Sequence, residues 1–409
     1  MEFSKSDLGE LVRRSREAYR VRQGRRLLPS QDKALTDIGD CRTAALGGHR
    51  YRCAKCDESF WVHHACGNRA CPACHGRDTR AWLEKRKAQL LPCGYFHLVA
   101  TVPRPIRSAF LADQKTMYGL FMRIVAESVM DLAQDPRFVG GTPGILMVLH
   151  TWTGELLYHP HVHLLVTAGG ITDDQPAPRL RQAGGERWRE PKSANFLVPV
   201  KALSKRIRRR FGEALKRRRP DVFESLPPRT WSKGWNTFCK RYGKGAETVL
   251  QYLARYVFRI AITNARIVKM EEGHVTFRHK DRDTGKWRLC RLDDVTFLDR
   301  LLQHVLPKGF HKVRYYGLWH HSKRAQQQAL RLLERTERMP KEPLPEPAPP
   351  DIADLVPQAE ALAAEGDPTT RQTDFKPVCP HCGCEDLIHL EERKRPFRPA
   401  PARRRGAGP

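Results

Sequence analysis

Apolar residues recur along this chain with two periods, and the points where one period gives way to the other mark its elements. Leu8, Leu11, Val12 and Tyr19 return at helical spacing among arginines, which predicts an amphipathic helix over residues 7–20 with a basic outer face. Residues 78–91, anchored by Trp82, Leu83, Leu90 and Leu91, predict another helix. Tyr95 to Val102 reads as a strand closed by Pro103 and Pro105. Residues 109–132, with Met117, Leu120, Phe121, Ile124, Val125 and Val129, predict a long, largely apolar helix that Asp135-Pro136 and Gly140-Gly141 bring to an end.

Two β-like runs follow, Ile145 to Trp152 and Tyr158 to Val166, joined by Thr153-Gly154-Glu155 as a turn, so an antiparallel hairpin is expected. A polar stretch with Pro and Gly, from Gly169-Gly170 to about residue 191, reads as a loop. From Lys201 to Arg219, Leu203, Ile207, Phe211 and Leu215 recur every four residues, predicting a helix with one apolar face and one face of arginine and lysine. Short strands are expected at 265–270, 274–280 and 286–292, then a helix from Asp294 to Val305 stopped by Pro307 and Gly309. The alternation of strand, helix and hairpin predicts an α/β fold, with helices covering an antiparallel sheet.

Composition adds a partner and a compartment. At 409 residues the chain is long enough for two or three domains. Its 73 Lys and Arg against 45 Asp and Glu leave a net charge of +28, more than solubility requires, which implies a polyanion and first of all nucleic acid. No apolar run approaches the 18 or so residues that span a bilayer, and the N-terminus opens a charged segment, so a cytoplasmic protein is expected. In such a protein 12 cysteines grouped as C-x-x-C pairs read as metal ligands.

The pairs Cys53-x-x-Cys56 and Cys71-x-x-Cys74, with 14 residues between them, suit four thiolates around one structural Zn²⁺, each pair a knuckle whose backbone amides help to neutralise the sulfur charge. Cys41, His49, His64 and Cys66 are candidates to complete a second site. Lys55, Arg69, Arg77 and Arg80 would make the module DNA-contacting. Near the C-terminus, Cys379-Pro380-His381-Cys382-Gly383-Cys384 with His389 is a candidate knuckle of its own, short of ligands.

The motif around which the rest is arranged is Tyr158-His159-Pro160-His161-Val162-His163. Alternation on a strand points His161 and His163 the same way, half of a metal site, and the hairpin would bring His150 beside them as a third nitrogen ligand. About ninety residues on, Tyr252 and Tyr256 lie one helical turn apart with Gln251 and Arg255 flanking. A divalent ion on the histidines would polarise a phosphodiester, and a tyrosine hydroxyl would attack it to leave a covalent phosphotyrosyl link. Arg208, Arg209 and Arg210 supply backbone-phosphate contacts in this reading. Trp231, Trp235, Phe238 and Tyr242, among Lys233, Lys240, Arg241 and Lys244, are either a stacking platform for bases or ordinary core.

The cysteine segment, His159-Pro160-His161-Val162-His163, Tyr252-Leu253-Ala254-Arg255-Tyr256, and the runs Val275 to Arg278 and His304 to Phe310 together resemble the rolling-circle transposases of bacterial insertion-sequence family ninety-one. These are HUH endonucleases with two tyrosines, and the similarity runs from about residue 35 to 325. The resemblance implies an HUH-like core with an N-terminal zinc-binding module. It implies Mg²⁺ or Mn²⁺ held by His161 and His163, and Tyr252 and Tyr256 as the nucleophiles that nick and rejoin single-stranded element ends. For the third ligand His150 has Glu155 and Gln251 as rivals, because related branches use Glu or Gln. The expected division is a helix and zinc module at 1–92, a core at 93–325, a Pro-rich flexible linker at 326–378, and a knuckle with a basic tail at 379–409. A replication initiator or relaxase would share the chemistry without this zinc module, and a non-catalytic zinc-containing regulator would leave the histidines and tyrosines unexplained.

Overall fold

The computed structural model describes residues 7–74, 90–91, 93–172, 188–242, 260–281, 284–323 and 377–396. Its centre is a five-stranded antiparallel sheet in the order β12-β4-β5-β3-β8, formed by β3 (Tyr95–Thr101), β4 (Gly144–Trp152), β5 (Tyr158–Thr167), β8 (Thr237–Tyr242) and β12 (Val313–Gly317). Because side chains alternate across a strand, the register divides these residues into two faces. On one face Phe96, Leu98, Met147, Leu149, Val162 and Leu164 are buried against helices. Those helices are α3 (Arg107–Ala112), α4 (Gln114–Gln134) and α5 (Val200–Arg218), with the short α6 (Pro220–Ser225) and α7 (Arg229–Ser232) beside α5. Phe110, Phe121, Phe211 and Trp235 interlock at centroid separations of 5.4–6.4 Å and fill the space between sheet and helices.

The apolar helix expected over 109–132 is thus two helices, because Asp113 breaks it and caps the second by accepting a hydrogen bond from the Thr116 amide at 3.3 Å. α5 buries the predicted Leu203, Ile207, Phe211 and Leu215. The stretch expected to be a loop after Gly169-Gly170 includes a two-stranded ribbon of β6 (Gly170–Ile171) and β7 (Trp188–Arg189), and residues 173–187 within it lie outside the described residues.

A second core joins parts of the chain nearly three hundred residues apart. Helices α1 (Leu8–Gln23) and α2 (Pro29–Asp40) pack on the antiparallel β9 (Ile267–Glu271), β10 (His274–Lys280) and β11 (Trp287–Asp293) and on α8 (Asp294–Leu302), through Leu8, Leu11, Leu35, Phe277, Phe297 and Leu298. Buried Asp294 fixes the docking: it accepts bidentate bonds from Arg14 at 2.7 Å and one from Ser15 Oγ at 2.6 Å. That hydrogen bond to Asp294 raises the Arg14 pKa, and removing Arg14 leaves the buried Asp294 carboxylate without its counter-charge, which is destabilising. Residues 267–302, expected within a core running from 93 to 325, therefore share their hydrophobic interior with the N-terminal helices.

A third sheet, β13-β1-β2, pairs β1 (Gly48–Cys53) with β2 (Ser59–His63) and with β13 (Leu387–Arg393) from the other end of the chain. Gly47 permits this approach. Its φ is +73°, and a Cβ there would lie 2.2 Å from the Arg393 carbonyl oxygen. The C-terminal segment expected to form a separate knuckle is instead a strand of the N-terminal module, brought there by backbone pairing that its own short sequence does not encode.

Buried His304 links α8 to the β4–β5 turn. Its Nε2 donates to the Leu156 carbonyl at 3.0 Å, and Thr151 Oγ1 donates to its Nδ1 at 3.2 Å. Burial pushes its pKa down to about 4. A folded pKa below the unfolded value means that the unfolded chain takes up the proton first, so stability falls as pH drops from about 6.5 towards 4, by at most about 3 kcal/mol. Denaturant titrations across this window should show a steeper acid loss for the wild type than for His304→Gln.

Candidate metal centres and the histidine face

Eight cysteines form two four-thiol groups, Cys41/Cys66/Cys71/Cys74 and Cys53/Cys56/Cys379/Cys382. The closest sulfur pairs are 3.4–3.5 Å apart, far beyond a disulfide bond and near the edge of about 3.8 Å of a tetrahedron with Zn–S of 2.3 Å. This corrects the expectation that Cys53, Cys56, Cys71 and Cys74 share one ion: each pair has a different partner set. Cys41 and Cys66 join Cys71 and Cys74, while His49 and His64 stay outside that group. The sequence carried a signal for the missing partners, since Cys379-x-x-Cys382 is a third C-x-x-C pair and three pairs plus Cys41 and Cys66 make eight ligands. The backbone amide of Cys56 leads the effects that lower the Cys53 thiol to about 6, as a knuckle must to present a thiolate. All-thiolate donor sets fit structural zinc and leave no open position for a substrate.

The histidines come together on the sheet face opposite α3, α4 and α5. His150 of β4 stands directly across from His161 of β5, and Val148 across from His163, so the three imidazoles share a face with ligand nitrogens all within 4.8 Å of one another. Ring centroids of His161 and His163 are 4.8 Å apart, and those of His150 and His163 4.9 Å. A register shift between His150 and Trp152 places an extra residue on β5 beside Pro160, where a missing N–H costs no ladder bond. Hydrogen bonds orient the rings. His161 Nδ1 donates to the His159 carbonyl at 2.7 Å. His163 Nδ1 lies 3.0 Å from Nε2 of His97, the neighbour on β3 that sequence reasoning overlooked as part of the site. Burial lowers the His97 pKa to about 4, so its ring is neutral near pH 7 and able to accept from His163 Nδ1–H. Three imidazoles whose ring nitrogens converge are a donor set for a divalent transition ion, with positions left for phosphate oxygen and water.

Comparison with known proteins agrees with the zinc-binding module. Residues 11–102 match the family model described as "Transposase zinc-binding domain", and residues 144–327 match the one described as "Putative transposase". The chain is 36% identical over 334 residues, 78% of its length and 81% of the relative's, to a protein of Sinorhizobium fredii named "Putative transposase y4qJ". The chain belongs to the transposases of insertion-sequence family ninety-one. It is also 27% identical over 301 residues, 70% of its length and 69% of the relative's, to the "Transposase for insertion sequence element IS801" of Pseudomonas savastanoi pv. phaseolicola. No solved structure matches it significantly. DNA is thus the substrate of this transposase, and no helix among the described residues is long and apolar enough to cross a membrane.

The other residues singled out in the sequence fall in several places. Tyr252, Tyr256, Arg255 and Gln251 lie outside the described residues, as do Arg77 and Arg80. Glu155 sits at the hairpin turn with its carboxylate 3.9 Å from His279 and is not part of the three-histidine group. Arg69 is a clamp: its guanidinium donates to the carbonyls of Phe310 at 2.7 Å and Pro307 at 2.9 Å. In α5, Arg208 donates to the Ser232 carbonyl at 2.9 Å, Arg209 is exposed, and Arg210 pairs with Asp131 of α4, which Arg206 also reaches at 3.2 Å. Since α5 covers the opposite face of the sheet, this basic helix is not beside the histidines. Trp231 and Trp235 stack among core aromatics, whereas Phe238 lies on the histidine face, 6.0 Å from His97.

Two measurements probe these centres. Cys379→Ser and Cys53→Ser should each remove one zinc per chain and expose residues 377–396 to protease, while Cys71→Ser removes the other zinc and leaves that strand protected. Loss of the same ion by Cys53→Ser and Cys71→Ser would restore the one-site arrangement. His97→Phe keeps an aromatic ring against Phe238 but removes the acceptor that orients His163, and should weaken Mn²⁺ binding by about 10- to 100-fold in calorimetric titration. The zinc content should not change.

Proposed function

We propose that this transposase nicks and rejoins single-stranded DNA at the ends of its insertion sequence through a covalent 5′-phosphotyrosine, in a rolling-circle reaction of the HUH type. The observation that carries the reading is the convergence of His150, His161 and His163 on one face of the sheet, with helices on the other. The flanking chain supports it. β8 ends with Tyr242 at the Tyr95 end of the sheet, whereas Ala261 and Ile262 are buried in the cluster containing Leu156 and Trp152 at the β4–β5 turn. Tyr252 and Tyr256 fall between these two segments in the sequence and lie outside the described residues.

In this mechanism His150, His161 and His163 hold a divalent ion, Mg²⁺ or Mn²⁺, which when bound polarises the scissile phosphate. A tyrosine oxygen attacks phosphorus, the P–O3′ bond breaks, the 3′-oxygen leaves and takes a proton, and the phosphate stays joined to the enzyme as a 5′-phosphotyrosine. The reverse attack by a 3′-hydroxyl restores a phosphodiester and frees the tyrosine, so no nucleotide is consumed. Phenols, with a reference pKa of about 10, are weak nucleophiles at neutral pH, so the attacking oxygen must sit beside the polarised phosphate or a proton acceptor. Two nucleophiles let a second strand be cut before the first is released. Arg208, Arg209, Arg210 and Arg255 are assigned to phosphate contacts. The involvement of Arg210 with Asp131 makes Arg209 the most available of the three on α5.

The test uses labelled single-stranded ends of the element and a denaturing gel. Tyr252→Phe and Tyr256→Phe should each cripple complete transposition, and the double variant should form no covalent adduct while its thermal stability stays near that of the wild type. An adduct that persists in the double variant would refute the two-tyrosine mechanism, and one that forms with His161→Ala in chelator would refute the metal assignment.

A further inference from the structure

His49 and His64, left out of the thiolate groups, meet a different set of ligands. With Glu392 they form a cluster whose ligand atoms all lie within 4.8 Å of one another. His389 adjoins it, its Nε2 3.2 Å from His49 Nδ1. Three segments of backbone make this arrangement. His49 is on β1; His64 directly follows β2, where its amide donates to Gly47 at 3.2 Å and its carbonyl accepts from Arg42 at 3.1 Å; His389 and Glu392 are on β13. The register of β13 is informative. Residues three apart on a regular strand point to opposite faces, but a bulge between Arg50 and Tyr51 sets Glu392 across from His49 and His389 across from Tyr51. The bulge at Leu390 thereby turns both β13 ligands to the same side as His49.

We propose that His49, His64 and Glu392, joined by the adjacent His389, form a third zinc-class site, distinct from the two thiolate groups and from the sheet-face histidines, that fastens the C-terminal strand to the N-terminal module. The His49–His389 nitrogen separation of 3.2 Å is close to the edge of about 3.3 Å of a tetrahedron with Zn–N of 2.0–2.1 Å. Three imidazoles and one carboxylate favour zinc or a similar ion over Mg²⁺, which prefers oxygen. β13 also needs such a fastening. Apart from half-buried Leu387 the strand is exposed, Ile388 and Leu390 included, so hydrophobic burial contributes little to holding it. Cys379 and Cys382 anchor the chain before the strand begins, and this site anchors its far end. Its partly exposed ligands and lack of thiolate make it the weaker and more readily exchanged of the two.

The experiment uses the full-length transposase carrying His161→Ala and His163→Ala, so that the sheet-face histidines bind nothing. In zinc-buffered solution this protein should hold three ions per chain by mass spectrometry of metal content. A further His64→Ala should reduce the count to two, with both thiolate zincs retained. Glu392 is exposed, so Glu392→Gln will not disturb folding, and it should weaken the third ion by about tenfold or more. Loading Co²⁺ as the third equivalent should add d–d absorption without a new thiolate charge-transfer band. Two ions in the parent protein, an unchanged third affinity in Glu392→Gln, or a new thiolate band would overturn the proposal and leave a hydrogen-bonded histidine pair.

Discussion

The register between β4 and β5 is the constraint on which the candidate site depends. Side chains alternate with a period of two, so a slip of one residue on β5 would carry His161 and His163 into the apolar layer beneath α4 and α5 and bring Val162 and Leu164 out. Burial of Val162, Leu164, Met147 and Leu149 against those helices therefore holds the imidazoles in place indirectly. The irregularity at Pro160 belongs to the same arrangement. It ends the regular ladder next to the site and leaves the Pro160 carbonyl to accept from Val102 on the β3 side at 3.0 Å.

A second constraint ties the two ends of the chain together. Cys53 and Cys382 are 329 positions apart, as the sulfurs of one four-thiol group. Closing so long a loop costs entropy that grows only slowly with length, and thiolate–zinc bonds are strong enough to offset it. The N-terminal module is consequently incomplete until the C-terminal strand has been made, and the same module shares its helices with the core of β9 to β11 and α8. Zinc here connects distant parts of the transposase instead of folding a small independent unit.

The strong positive charge has two destinations. Several arginines serve as internal clamps: Arg14 on Asp294, Arg69 on the carbonyls after α8, and Arg266 on the carbonyls of Arg278, Ala261 and Gly154. Each guanidinium satisfies acceptors that would otherwise face a buried or half-buried environment without partners, which suits its fixed fork of donors. The net charge of +28 still requires a polyanionic partner, but charge counting does not distinguish a clamp such as Arg210 from an exposed side chain such as Arg209.

Local pattern by itself determined the helices of residues 8–23 and 200–218, the strands β3, β4, β5, β9, β10 and β11, and the hairpin that sets His150 beside His161 and His163, because these depend on periodicity and turn chemistry within about twenty residues. It also determined that the cysteines bind metal, since C-x-x-C spacing reports a knuckle. Which knuckle meets which was decided only in the tertiary structure: Cys53 and Cys56 choose Cys379 and Cys382 because β13 pairs with β1, and a strand partner over three hundred residues away leaves no periodic trace. The same holds for His97, which is one apolar-strand histidine among others until β3 lies beside β5, and for Arg69 and Arg210, whose partners come from α8 and α4. Spacing along a chain fixes which residues share a face; contact between faces depends on packing and on long-range strand pairing, and these exist only once the whole chain has folded.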